Sequence, residues 1–231
     1  MGTAFDPLLI LKFIPKLLEC LYVTFEILIA SIFCGLIAGI IFAIIRYYNI
    51  PILKQIVIVY VSFIRGTPII IQLFLVFYGL PEILELFGLN IKRMDALVFV
   101  IITYSLSNAA SFTEIFRGAL QAVNLGQVEA ALSIGMTRAQ SFVRIIFPQS
   151  LRIAFPNIAN TVISSLKDTS LAFTVGIIDI MGRGETIIAA TMHALEVYIA
   201  LSIIYYVIVI ILEQGFKWSE RSINKHDTHP I

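Results

Sequence analysis

LLECLYVTFEILIASIFCGLIAGIIFAII, residues 17–45, is the stretch whose reading decides the fold. Lys12 and Lys16 precede it as basic residues precede a secretory signal, but the apolar run is far longer than the roughly 7–15 residues of a signal core. It therefore reads as a retained first membrane span. The rest of the chain agrees: 59% of its 231 residues are hydrophobic, 13% are charged and the mean hydropathy is +0.94. Such a composition describes a polytopic helical membrane protein and excludes a soluble globule.

Apolar runs bounded by charge predict five spans: Leu17–Ile45, Ile56–Leu80, Ala96–Ala119, Ile153–Ile178 and Leu195–Phe216. Residues 1–16 form an N-terminal segment in which Leu8, Leu9, Ile10, Phe13 and Ile14 alternate with lysines and Pro15, the pattern of a short interfacial helix. The transmembrane domain covers 17–217, and 218–231 form a polar cytoplasmic tail. Arg46 and Lys54 follow span one, Arg138, Arg144 and Arg152 follow span three, and Lys217, Arg221 and Lys225 follow span five. The positive-inside rule places those segments in the cytoplasm, so an odd number of spans leaves the N-terminus outside and the C-terminus inside. Gly35 and Gly39 in span one have the spacing that lets helices approach closely, either between subunits or within the bundle.

Several function classes drop out. The net charge of +1 and scattered basic residues carry no nucleic-acid footprint. Cys20 and Cys34 lie about 21 Å apart along a helix and cannot pair within a subunit. His226 and His229 read as tail residues, and no metal site is implied.

The loop at about 122–150 is a polar interruption with helix signals of its own. Asn124 caps a short helix, Gly135 is placed to end it in a left-handed conformation, and Thr137 with Gln140 has capping-box spacing for a second short helix. Phe142, Val143, Ile146 and Phe147 recur at helical spacing as a face to pack on the bundle, with Arg138 and Arg144 at the surface. Pro148 is expected to break this helix before Arg152. A connector lying in the headgroup layer would explain the arginines and the apolar face. Glu129, Ala130 and Ala131 ahead of a glycine elbow suit a knob for a protein groove better than a lipid surface.

These residues carry a resemblance. Glu129-Ala130-Ala131 followed by Gly135, Ile146 and Pro148 is similar to the EAA signature of permease subunits of ATP-binding-cassette importers. SFIRGTP (Ser62–Pro68), TEIFRGALQAV (Thr113–Val123), GQVEAA (Gly126–Ala131) and LKDTSLAFTVG (Leu166–Gly176) resemble the polar amino-acid branch, which includes histidine, glutamine, arginine and cystine importers. The resemblance runs from about Leu17 to Lys217; Phe112 departs from it, standing where that branch usually has a tyrosine. It implies an all-α type I importer permease of five transmembrane helices in the cell membrane. The implied partners are a second permease subunit, same or homologous, two cytosolic ATP-binding subunits that hold ATP and Mg, and an extracytoplasmic solute-binding protein. Glu129, Ala130, Ala131, Gly135, Arg138 and Pro148 would then couple to the ATPase. The chain has no phosphate loop of its own, which agrees with ATP binding elsewhere, and it implies no cofactor.

Ionisable groups in the apolar runs need partners or water, because each costs about 2.5–3.5 kcal/mol at the bilayer centre on insertion scales. Arg65 sits beside Gly66, Thr67 and Pro68, which together predict a broken helix, a frequent location for substrate or gate. Arg65 has two readings: an ion pair with Glu114 or Asp168, or contact with substrate. Lys167 and Asp168 are neighbours and face directions about 100° apart, which turns Asp168 inward. Arg117 reads as an anchor near the end of span three. An amino-acid pathway needs an acid for the ammonium, Glu114 or Asp168, and a cation or hydroxyl for the carboxylate, namely Arg65, Thr67, Ser111 or Thr169. The competing readings are a self-sufficient secondary transporter or channel, for which five spans without a repeat are few, and a membrane enzyme, for which no cluster of catalytic groups is visible.

Overall fold

The computed structural model describes residues 4–224. Helices run in the order α1 (Pro7–Leu18), α2 (Leu21–Tyr47), α3 (Leu53–Gly66), α4 (Ile69–Glu85), α5 (Ala96–Ala122), α6 (Leu125–Ser133), α7 (Arg138–Ser141), α8 (Phe147–Asp168), α9 (Ile180–Thr191) and α10 (Ala194–Asn224). No strand interrupts them among the described residues. The last helix runs on into the segment read as a polar tail, while residues 225–231, with His226 and His229, lie outside the described residues.

Three helices, α2, α5 and α10, are long and apolar enough to cross a membrane, and the bent pair α3 and α4 makes a fourth candidate. Length and composition thus support three or four of the five expected spans among the described residues. The first starts at Leu21, after a break at Glu19 and Cys20 that leaves α1 a separate helix. The second turns by 113° between Gly66 and Ile69, because Pro68 has no amide hydrogen to continue the ladder. The segment read as a fourth span ends as an α-helix at Asp168 and continues as a 3₁₀ turn, Thr169–Val175. That helix carries Asn157, Asn160, Ser164 and Lys167, and its buried side packs on α5 and α10.

The tightest contact joins α2 to α5, and glycine makes it possible. A Cβ on Gly35 would stand 2.6 Å from the Asn108 Cβ, and one on Gly39 would stand 2.5 Å from the Phe112 Cβ. Of the two readings of this glycine pair, packing within the bundle is the one realised. Phe112 is wholly buried here in an apolar cluster with Ala43 and Phe116.

The N-terminal helix is capped by the Asp6 carboxylate, which accepts from the Leu8 amide, and Pro7 opens it. Phe13 and Leu17 bury one side against Val197, Ala200 and Leu201 of α10, while Lys12 and Lys16 stay exposed. A second tie is polar: the Asp6 amide donates to Glu196 at 2.9 Å. Asp179 is wholly buried at the start of α9, where it accepts from Gly182 N at 2.9 Å and from the Thr24 hydroxyl of α2 at 3.4 Å. Burial pushes its carboxyl up to about 6, against the pull of those hydrogen bonds.

One buried side chain braces the helix break. Gln72 is buried, and its amide donates to the Ile64 carbonyl at 2.7 Å, the Thr67 carbonyl at 2.9 Å and the Thr67 hydroxyl at 3.2 Å. It thereby satisfies carbonyls released by the interruption at Pro68. Gln72→Leu leaves the Thr67 carbonyl without its donor and the Ile64 carbonyl with only the longer contacts from Thr67, at 3.4 and 3.5 Å, and is expected to cost about 1–3 kcal/mol. A melting temperature equal to wild type in detergent would show that the break is held by something else.

Candidate functional site

The 122–150 loop folds as a protruding element. Asn124 Oδ1 accepts from the Gly126 amide and starts α6, whose end has paired carbonyls: Gly135 N donates to Leu132 O at 3.0 Å and Met136 N to Ala131 O at 3.1 Å. That pairing is a Schellman motif, and it requires the left-handed φ of +86° found at Gly135. Thr137 and Gln140 form the reciprocal capping box. Glu129, Ala130 and Arg138 face outward, whereas Ala131 is buried.

Two expectations for this element fail. The second helix is not short, since α7 runs through a π turn, Phe142–Ile146, directly into α8. Pro148 does not break it: it occupies the first turn of α8, where the wider turn just before it accommodates the missing donor. Phe142 and Ile146 are buried as expected, but Val143 is 65% exposed. Ile134 is 80% exposed as well, so both residues present apolar surface. Beneath α6, a crevice of about 420 Å³ is lined by Tyr47, Tyr48, Val128, Leu132, Arg138 and Phe142.

Further along the bundle, α5 and α8 line a polar chamber of about 310 Å³ that is open on one side. Asn108 and Ser111 face it from α5, and Asn160, Ser164, Ser165 and Asp168 from α8. Asn108 Oδ1 accepts from the Ser165 hydroxyl at 2.5 Å, and Asn108 Nδ2 donates to Ser31 at 3.4 Å, so the wall is cross-braced. The Tyr104 hydroxyl donates to the Asp168 carbonyl at 2.8 Å and holds the end of α8. The Asp168 carboxylate itself accepts no hydrogen bond among the described residues, and it is the chamber's one ionisable group. A ligand ammonium has an acid to meet there, with hydroxyls and amides to complete its shell.

A second cavity, about 460 Å³, lies between α2, α3 and α5 and is lined by Arg46, Ser62, Arg65, Gly66 and Glu114. Glu114 is ion-paired to Arg46 through one oxygen and to Arg117 through the other, the latter at 2.7 Å.

A family model described as "Binding-protein-dependent transport system inner membrane component" matches residues 35–225. The chain belongs to that family. The permease is 50% identical over 231 residues to the L-cystine transport system permease protein TcyL of Bacillus subtilis, covering 100% of this chain and 97% of that one. It is 34% identical over 214 residues to the arginine transport system permease protein ArtQ of the same organism, covering 93% and 95% respectively. Among solved structures, an amino acid ABC transporter crystallised with histidines matches with a TM-score of 0.85 and 29% identity, over 95% of the permease and 100% of that chain. The inward-facing MetNI methionine ABC transporter shares the fold, with a TM-score of 0.72 at 18% identity, over 90% and 95%.

The permease thus brings its singled-out residues together in three places instead of one. Ser111 and Asp168 share the chamber; Arg65 and Glu114 share the second cavity; Glu129 to Arg138 share the protruding element. Thr67 donates to the Phe63 carbonyl within the helix break, and Thr169 is buried with its hydroxyl on the Leu166 carbonyl. Arg65 pairs with neither Glu114 nor Asp168 among the described residues; Glu114 is paired to Arg46 and Arg117 instead. Asn108, Asn160, Ser164 and Ser165 escaped the sequence reading, although 157, 160, 161, 164, 165 and 168 form a polar stripe at helical spacing. Gln72 left no such trace.

Proposed function

We propose that the permease is the transmembrane subunit of an ATP-driven importer of a polar amino acid, coupled to its ATPase through α6 and the Gly135 elbow. The observation that carries this reading is the exposed, Schellman-capped α6, with Glu129 and Ala130 outward and apolar Ile134 and Val143 also exposed. A nine-residue helix exposed on a membrane protein and braced at both ends suits insertion into a protein groove. The partners are two cytosolic ATP-binding subunits, which hold ATP and Mg, a second permease subunit, the same or homologous, and an extracytoplasmic solute-binding protein. The names of the relatives, which are transport-system permeases for cystine and arginine, support an amino-acid cargo.

In this reading the chain is a multi-pass protein of the cell membrane with its N-terminus outside, and α8 completes a five-helix bundle by facing the polar pathway instead of lipid. The cargo passes the chamber, where Asp168 meets its ammonium and Ser111 its carboxylate. ATP binding draws the paired α6 helices together and turns the chamber from inward-facing to outward-facing.

Uptake by the reconstituted complex, with and without its ATPase subunits, tests the reading; transport that persists without them would overturn it. Asp168→Asn keeps size and an acceptor oxygen but removes the charge. Its uptake is expected to fall about tenfold or more at equal amounts of assembled complex, since a charge-assisted hydrogen bond contributes about 1.5–3 kcal/mol. Unchanged uptake would remove Asp168 from the pathway.

A further inference from the structure

The second cavity holds more positive charge than its acid neutralises. Glu114 accepts from Arg46 through Oε1 and from Arg117 Nε and Nη2 through Oε2, at 2.9 and 2.7 Å. The remaining donor of Arg117 recorded here, Nη1, goes to Gln121 at 2.7 Å. One carboxylate therefore serves two guanidiniums, and Arg65, the third in the cluster, has no ion pair or hydrogen bond among the described residues. The cluster carries two positive charges in excess.

The surroundings of Arg65 are those of a receptor for an anion. Ser62 lies three residues earlier on the same helix face, and its hydroxyl is likewise unengaged among the described residues. Gly66 leaves the rim open, for a Cβ there would meet nothing within 4 Å. Ile58 and Val61 supply an apolar wall. Arg46 belongs to the last turn of α2, immediately before Tyr47 and Tyr48, and paired aromatics at the end of an apolar helix mark the headgroup level. Arg65 and Ser62 are exposed at the mouth of this cavity, and the planar guanidinium fork matches an oxyanion with parallel hydrogen bonds.

We propose that this cavity binds a phosphate oxyanion between Arg65 and Arg46, carried either by an anionic phospholipid headgroup or by phosphate in solution. The site shares no lining residue with the Asp168 chamber, so it stands whether or not that chamber conducts the cargo.

The test is thermal stability of the delipidated, detergent-purified permease in its complex, titrated with phosphatidylglycerol or with inorganic phosphate. Stabilisation by phosphatidylglycerol alone, with half-saturation about tenfold weaker in Arg65→Gln, identifies a headgroup site. Stabilisation by inorganic phosphate with the same loss identifies a soluble anion. Arg65→Lys, which keeps the charge but not the fork, is expected to fall between wild type and Arg65→Gln, and it serves as the probe if the glutamine variant does not assemble. No stabilisation by either probe, or titrations identical in wild type and both variants, would overturn the proposal.

Discussion

Gly135→Val is expected to lower uptake by at least tenfold while leaving the permease inserted and assembled. The residue has φ of +86°, and a Cβ placed there would meet no atom within 4 Å, so the defect is one of backbone conformation and not of collision. A β-branched residue in the left-handed region costs about 1–2 kcal/mol or more, and it can be accommodated only by giving up the two hydrogen bonds that close α6 on Ala131 and Leu132. The helix end then frays where it faces the ATPase in the proposed complex. Gly135→Asn, which tolerates that conformation, is expected to retain most of the activity. The check is substrate-stimulated ATP hydrolysis and uptake for both variants in the reconstituted complex. Full coupling in the valine variant would show that the elbow is dispensable.

Gly39→Leu is expected to prevent accumulation of folded permease. Even the first atom of the new side chain would lie 2.5 Å from the Phe112 Cβ and 3.2 Å from the Ala109 carbonyl oxygen. Neither neighbour can yield cheaply: one atom sits at the root of a wholly buried aromatic side chain and the other is backbone in α5. Overpacking typically costs about 1–3 kcal/mol, and this site lies at the upper end or beyond because two helices must separate along their main contact. Lipid offers no compensating hydrophobic drive to hold them together. Gly39→Ala should show the same defect in milder form, as a lowered melting temperature in detergent. Wild-type stability of both variants would mean that α2 and α5 are free to shift apart.

Local devices in this chain were legible because their parts lie within a few residues of one another. The Thr137 and Gln140 capping box, the Asn124 cap and the left-handed Gly135 all close hydrogen bonds inside one or two turns, so residue type and spacing suffice. The break at Pro68 was legible for the same reason, though its 113° angle was not. Pro148 shows the limit of local rules. Proline forbids an amide donor, but a π turn before it lets the helix continue, and nothing in its neighbours announces that turn.

The amino-acid sequence by itself determined a polytopic helical membrane protein, a capped and elbowed element between two bundle helices, and the family to which both belong. Only the tertiary structure decided where the charges go. Arg46 reaches Glu114 across 68 positions, and that pairing, with Arg117 on the other oxygen, leaves Arg65 free of the partner that its depth in an apolar run called for. It also decided that α8 turns a polar face to α5, since hydropathy averages around a helix whereas packing against α5 gathers Asn160, Ser164 and Asp168 on one chamber. An ion pair or a chamber depends on which helix faces meet, and helix faces meet through contacts such as Gly39 on Phe112 that no window of adjacent residues contains.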